Sequence, residues 1–453
     1  MGTTLDHELF ADLFGTAQMR ALFSGKSTLQ AWLDVESALA QAQAEVGEIP
    51  QAAAERIADE AKASRFDLRK LAAQILVTGH PLVPLVRELV GHCERHGAYV
   101  HWGATTQDIV DSGLMLQCRE GFQLLGLDLT DTIKALLVQA NRYRSTPMAG
   151  RTHGQHAAPI TFGYKIAIWV DELLRAHDRM HKTQKSLTGQ FAGAVGTLAS
   201  LPERGAEIRS RLCRKLGLQA TSVPWHVSRD RVRDITAALV ELSISAERVG
   251  LEVVRLQSSE LAEASEPISA EHVGSSTMPQ KRNPHSSELM VAAARLLRGA
   301  ASTLTSHGAH IHERDLGSWA PEWIGLPQTF ILASGIVHHL RHIADGLIVN
   351  PDQMAANLRI TRGQIMAESI MMRLAVHIGH EPAHEIVGEA TRHASAHQVD
   401  LSTVIMNDNR IMAVLGPEDV ETALDPWAYL GECEVIVDAV ASEADKMGLS
   451  LSG

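Results

Sequence analysis

The stretch DRVRDITAALVELSISAERVGLEVVRLQ, residues 230–257, decides the fold. Its apolar residues Ile235, Leu239, Leu242, Ala246, Val249, Val253 and Leu256 are spaced 4, 3, 4, 3, 4, 3. That spacing is an a/d seam held for about three heptads, and such a seam needs a partner helix along its length. Proline-free helical patterns also run over residues 165–187 and 127–143, each longer than the roughly 11–12 residues of an ordinary helix. Clean alternation of apolar and polar residues is almost absent. The expected fold is therefore all-α, a bundle of long helices with few or no strands.

Punctuation divides the chain. GAYVHWGATTQD, residues 97–108, interrupts the helical period, and VNPDQM, residues 349–354, interrupts it again. The expected organisation is an N-terminal helical domain over 1–108, a central long-helix domain over 109–355 and a C-terminal helical domain over 356–453.

Composition narrows the function classes. The 453 residues are 45% hydrophobic and 21% charged, ordinary for a globular chain with a sizeable core. Lys and Arg number 41 against 53 Asp and Glu, a net charge of −12, and only 4% of residues are aromatic. Both features argue against a nucleic-acid binder. Cys93, Cys118, Cys213 and Cys433 form no CxxC pair and suit a reducing compartment. The start MGTTLDHELF lacks a signal-peptide pattern, and Asp6 spoils a myristoylation motif. No run approaches ~18 apolar residues. A soluble, cytoplasmic protein with no membrane partner is expected.

Three polar loops carry the chemistry. GSSTMPQKRNP, residues 274–284, joins two serines and a threonine to Lys281 and Asn283 just before a helix. Backbone amides, a lysine charge and the positive end of the helix suit an anion. Read blandly, Asn283 is an N-cap and Pro284 the first helical residue. GRTHGQHAAP, residues 150–159, gathers Arg151, Thr152, His153, Gln155 and His156 at a turn. A histidine there can exchange protons near neutral pH, although His156 reads equally well as structural. HWGATTQD, residues 101–108, offers Thr105, Thr106 and Gln107 as neutral donors for a carboxylate, with Asp108 a possible helix cap.

Other motifs fail on inspection. His380-Glu-Pro-Ala-His384 matches HExxH, but Pro382 argues against one uninterrupted helix, and no metal site is expected. There is no P-loop, GxGxxG or GxSxG.

GSSTMPQKRNP closely resembles the GSSxMPxKxNP loop of the fumarase/aspartase superfamily. GRTHGQHAAPITFG and HWGATTQDIVDSG resemble that family's other two motifs, and GAVGTLA (193–199) and PWHVSRDR (224–231) extend the likeness along the chain. The resemblance implies a homotetramer with a central twenty-helix core and active sites built from three subunits. It also implies that Ser275 is the catalytic base, removing a proton next to a carboxylate. Lys281, Asn283 and loop amides would hold the aci-carboxylate intermediate, and His153 would protonate the leaving group. Thr105, Thr106, Gln107, Thr152, Gln155, Ser276, Thr277, Met278 and Arg20 would bind a small di- or tricarboxylate, with no cofactor and no metal.

Within the family, AQMRALFSGK (17–26), GHPLVPLV (79–86) and HERDLGSWAPEW (312–323) look most like the 3-carboxy-cis,cis-muconate cycloisomerase branch. Trp323 stands where adenylosuccinate lyases carry a phosphate-binding arginine. His153 fits an eliminating lyase better, because bacterial cycloisomerases often lack it. The reading placed first is anti β-elimination from a substituted succinate to release fumarate, with 3-carboxymuconate cycloisomerase second and adenylosuccinate lyase third.

Overall fold

The structure, a computed structural model, describes residues 7–267 and 278–449. Among these residues the chain is mostly helical, and the elements that position the site can be named in order. They are α1 (Gly25–Glu45), α2 (Thr106–Arg142), β1 (Pro147–Thr152), β2 (Gln155–Thr161), α3 (Phe162–Ser186), α4 (Asp230–Leu256) and β3 (Ala264–Ser265). There follow α5 (His285–Ser306), α6 (Glu322–Gly346), β4 (Ile348–Val349), α7 (Pro351–Leu358), α8 (Ala367–Ile378) and α9 (His380–His397). No helix is long and apolar enough to cross a membrane among the described residues.

All seven residues of the heptad seam on α4 are buried. The same helix also exposes Ile244 and Leu251, seven residues apart and off the seam, a second apolar line that the single chain leaves uncovered. Helix α2 is longer than the pattern over 127–143 suggests. At 37 residues it spans about 55 Å. Its glycines dilute the apolar period but do not end the helix. A Cβ on Gly113 would lie 2.7 Å from Trp32, and one on Gly121 would lie 2.8 Å from Phe330. They are absences of side chain that let neighbours approach.

The chain forms two compact units, each drawn from three stretches of sequence. The first comprises Met1–Leu129, Arg175–Glu247 and Leu289–His339; the second comprises Thr130–Leu174, Arg248–Glu288 and Leu340–Gly453. In the second unit, Ile370 and Leu374 of α8 pack with Ala383, Val387 and Ala390 of α9 across Gly379.

Two expectations need correcting. The segment 150–159 is not an irregular loop: β1 and β2 form an antiparallel hairpin closed by His153 and Gly154. The pair has φ +52° and +76°, the two positive values of a type I′ turn, and the His-Gly dipeptide supplies them. At residues 380–384, Pro382 does not interrupt a helix. It falls in the first turn of α9, where the missing N–H has no intrahelical acceptor to lose. The rings of His380 and His384 stack 6.2 Å apart, and among the described residues no group of His, Cys, Asp or Glu is placed to hold a metal ion.

Candidate active site

In the first unit, the loop 101–108 is fastened by Asp108, which is fully buried. Its Oδ2 accepts from the amides of Thr105 (3.1 Å) and Gly193 (3.0 Å), and its Oδ1 from the amide of Ala192 (3.0 Å). The Nε2 of His226 lies 2.8 Å from Oδ1. One carboxylate thus ties together three segments that are far apart in sequence, GATTQD, GAVGTLA and PWHVSRDR. Gln107 is also buried: its Nε2 donates to the His226 carbonyl (2.8 Å), and its Oε1 accepts from Arg314 Nε (3.1 Å). Thr105 and Thr106 are half-buried, and Thr106 Oγ1 lies 3.2 Å from His80 Nε2.

Charge gathers around this loop. Burial disfavours a His101 cation, but Glu36 at 2.6 Å and then Asp108 outweigh it, so His101 titrates above its ordinary value. His80 titrates below its ordinary value, through burial and then the charges of His101 and Arg314. Arg314 lies in the HERD segment, some two hundred residues from Gln107, and only folding brings the two together. Arg229 of PWHVSRDR is buried beneath Trp225 and clamps Asp111 of α2 and Glu322 of α6, which fixes the wall behind the loop. Arg20, expected at the substrate, donates to the carbonyls of Ala11 (2.9 Å) and Gly15 (2.6 Å) and pairs with Asp12.

In the second unit, Thr152, His153 and Gln155 stand exposed at the hairpin tip. His156 faces Arg151 across the hairpin. Burial, then the Arg151 charge, hold His156 below its ordinary pKa, with Glu263 opposing. Both influences favour the neutral ring.

The same unit contains a cavity of about 960 Å³ lined by Gln257, Glu266, Met278, Lys281, Asn283 and Glu288, among others. Lys281 is exposed, and its amide closes a turn onto the Met278 carbonyl (3.1 Å). Ser275, Ser276 and Thr277 lie outside the described residues. The positive end of α5 is already taken: the buried Glu266 carboxylate accepts from the amides of Ser286 (3.1 Å) and Ser287 (2.5 Å). That replaces the expectation of a helix end open to a substrate anion, because a resident carboxylate satisfies those amides. Glu266 precedes the helix by some twenty residues, so no capping pattern reveals it in the sequence. No residue of the tip 152–155 lines this cavity.

Comparisons with known proteins agree along the whole chain. A family model described as Lyase matches residues 15–299, and one described as adenylosuccinate lyase C-terminus matches 363–440. A 3-carboxy-cis,cis-muconate cycloisomerase of Bradyrhizobium diazoefficiens is 37% identical over 98% of this chain and 100% of its own. An N-acetyl-S-(2-succino)cysteine lyase of Enterococcus italicus is 36% identical over 99% of both chains. The crystal structure of 3-carboxy-cis,cis-muconate lactonizing enzyme from Pseudomonas putida superposes with a TM-score of 0.91 at 35% identity, covering 98% of this chain and 100% of that one.

Proposed function

The chain belongs to the fumarase/aspartase superfamily of lyases, and from that premise we propose that it is a cycloisomerase acting on a 3-carboxymuconate-type tricarboxylate. In this reading a carboxylate of the substrate adds to a carbon–carbon double bond to close a lactone, and a proton is delivered to the carbon beside another carboxylate. In the reverse direction Ser275 removes that proton, electrons flow into an aci-carboxylate, and the lactone C–O bond breaks. The doubly charged intermediate needs fixed donors and a cation, each donor worth roughly 3–4 kcal/mol. Lys281 and Asn283 on the cavity wall are suited to supply them. The observation that carries the proposal is full-length likeness to a cycloisomerase and to a lactonizing enzyme, which supports this reaction ahead of the elimination that the motifs alone put first.

Elimination from a substituted succinate, releasing fumarate, remains the second reading. His153 favours it, as an exposed ring able to protonate a leaving group, and so does likeness to a lyase of a succinylated cysteine. The two reactions share the base and differ in whether the leaving group departs as a separate molecule or stays tethered to the product.

Assembly as a homotetramer with active sites shared among subunits belongs to the same proposal. Support comes from the uncovered Ile244 and Leu251 line on α4 and from the separation of the hairpin tip from the cavity lining. One panel tests the function: 3-carboxy-cis,cis-muconate, its lactone and a set of substituted succinates, followed by ultraviolet absorbance. Turnover of the muconate supports the first reading, and release of fumarate without muconate turnover replaces it with the second. Ser275→Ala should lower either activity by several orders of magnitude while leaving the helical dichroism unchanged. Full activity in that variant refutes the base assignment.

A further inference from the structure

We propose that the ion pair between half-buried Arg151 and fully buried Glu263 is a positioning device that aims the hairpin tip carrying His153; the inference rests on the reading of His153 as a proton-transferring residue. All parts lie within the second unit. Arg151 presents two parallel donors to the carboxylate, Nη1 to Oε2 at 2.8 Å and Nη2 to Oε1 at 2.6 Å. Glu263 is fully buried, and Oε1 also accepts from Asn357 Nδ2 at 2.8 Å. Asn357 is itself held, donating to the Leu261 carbonyl (2.8 Å) and accepting from Gln353 (2.9 Å). The backbone of Glu263 is pinned as well, its carbonyl accepting from the Asn350 amide at 2.9 Å and its N–H donating to the Leu256 carbonyl at 2.9 Å.

Arg151 sits two residues before His153 on β1. The hairpin's register shifts between Gly150 and Arg151, so that Gly150 pairs with Ala158 but Arg151 with His156. A bulge of this kind re-aims side chains and increases the local twist. An isolated two-stranded hairpin is marginal in water, so its tip needs an external anchor to hold one orientation. The forked guanidinium fixes both direction and plane.

Stability alone gives little reason for such a pair. Taking two charges out of water costs several kcal/mol per ion, and apolar residues of similar volume often serve as well or better. Orientation is what apolar residues cannot reproduce. Arg151 and Glu263 thus act through His153 without themselves donating the proton.

The test uses the full chain and three variants: Glu263→Gln, Arg151→Lys and the double variant Arg151→Met/Glu263→Met. The double variant leaves no unpaired buried charge, so it carries the test if Glu263→Gln fails to fold. Amide hydrogen exchange at the tip 152–155, read by peptide mass spectrometry, needs no substrate. In the folded variants exchange at the tip should quicken at least about threefold, while helix α9 exchanges as in wild type. A displacement of about 1 Å costs on the order of 10²-fold in rate. On a substituted succinate that the wild type cleaves, where His153 protonates the leaving group, kcat should fall by that factor, with KM within about threefold. Arg151→Lys keeps the charge but not the fork and should still lose most of kcat. A folded double variant with wild-type exchange at the tip overturns the proposal. Quickened exchange with unchanged kcat leaves the tip anchored as described but removes His153 from the reaction, and so overturns the functional reading beneath it.

Discussion

Asp108 gives the most demanding test of the first unit. In Asp108→Asn the side chain keeps its shape, but one oxygen becomes an NH2 group. Each oxygen of the native carboxylate has two partners: Oδ1 faces the Ala192 amide and His226, and Oδ2 faces the Thr105 and Gly193 amides. Whichever oxygen is replaced, two buried donors lose their acceptor. His226 offers no escape. Moving its proton so that Nε2 accepts would place N–H on Nδ1, which is buried with no partner. A buried donor without an acceptor costs about 1–3 kcal/mol, so the expected loss is about 2–6 kcal/mol. A carboxylate that served only as a helix cap would cost about 1 kcal/mol when replaced. Urea unfolding followed by far-ultraviolet dichroism, at matched chain concentration, separates the two. A loss below about 1 kcal/mol would refute the view that Asp108 staples three segments together.

Three further outcomes are expected. His101 titrates above its ordinary value of about 6.5, so its pairing with Glu36 stabilises the fold most below that pH and fades as pH rises through the raised pKa. The difference in urea midpoint between wild type and Glu36→Gln should therefore shrink from pH about 6.5 upward; a difference that grows sinks the assignment. Gly154→Ala puts a side chain at φ +76° in the two-residue turn and should cost about 1–2 kcal/mol, read as faster amide exchange confined to the hairpin 147–161. Adenylosuccinate should be a poor substrate. Trp323 packs edge-on against Trp319 at 4.9 Å and offers a phosphate no cation. A lost charge-assisted hydrogen bond of about 1.5–3 kcal/mol predicts turnover roughly 10- to 150-fold lower than with the phosphate partner present. In a coupled assay, efficient cleavage contradicts this.

The heptad seam on α4 was legible because burial along one face of a helix is written locally, at a period that the residues themselves set. The motifs GSSTMPQKRNP, GRTHGQHAAP and HWGATTQD were legible as polar breaks in that period, and their residues carried the family likeness. Other features were not legible. The full extent of α2 was not legible because the side chains that need the missing Cβ of Gly113 and Gly121, Trp32 and Phe330, are remote in sequence. The hairpin at 147–161 was missed because only its two-residue His-Gly turn marks it, and its strands are too short for clear alternation.

The sequence by itself determined that the chain is mostly helical, where the buried seam of α4 runs, and which superfamily the chain joins. Only the tertiary structure decided who meets whom. Asp108 fastens three segments, Glu266 takes the positive end of α5, Arg314 reaches Gln107, and Arg151 docks on Glu263. The physical reason is one of range. Helical periodicity and turn chemistry act over a few neighbouring residues, whereas buried carboxylates choose partners by where the packed chain delivers unsatisfied donors, and sequence separation sets no limit on that choice.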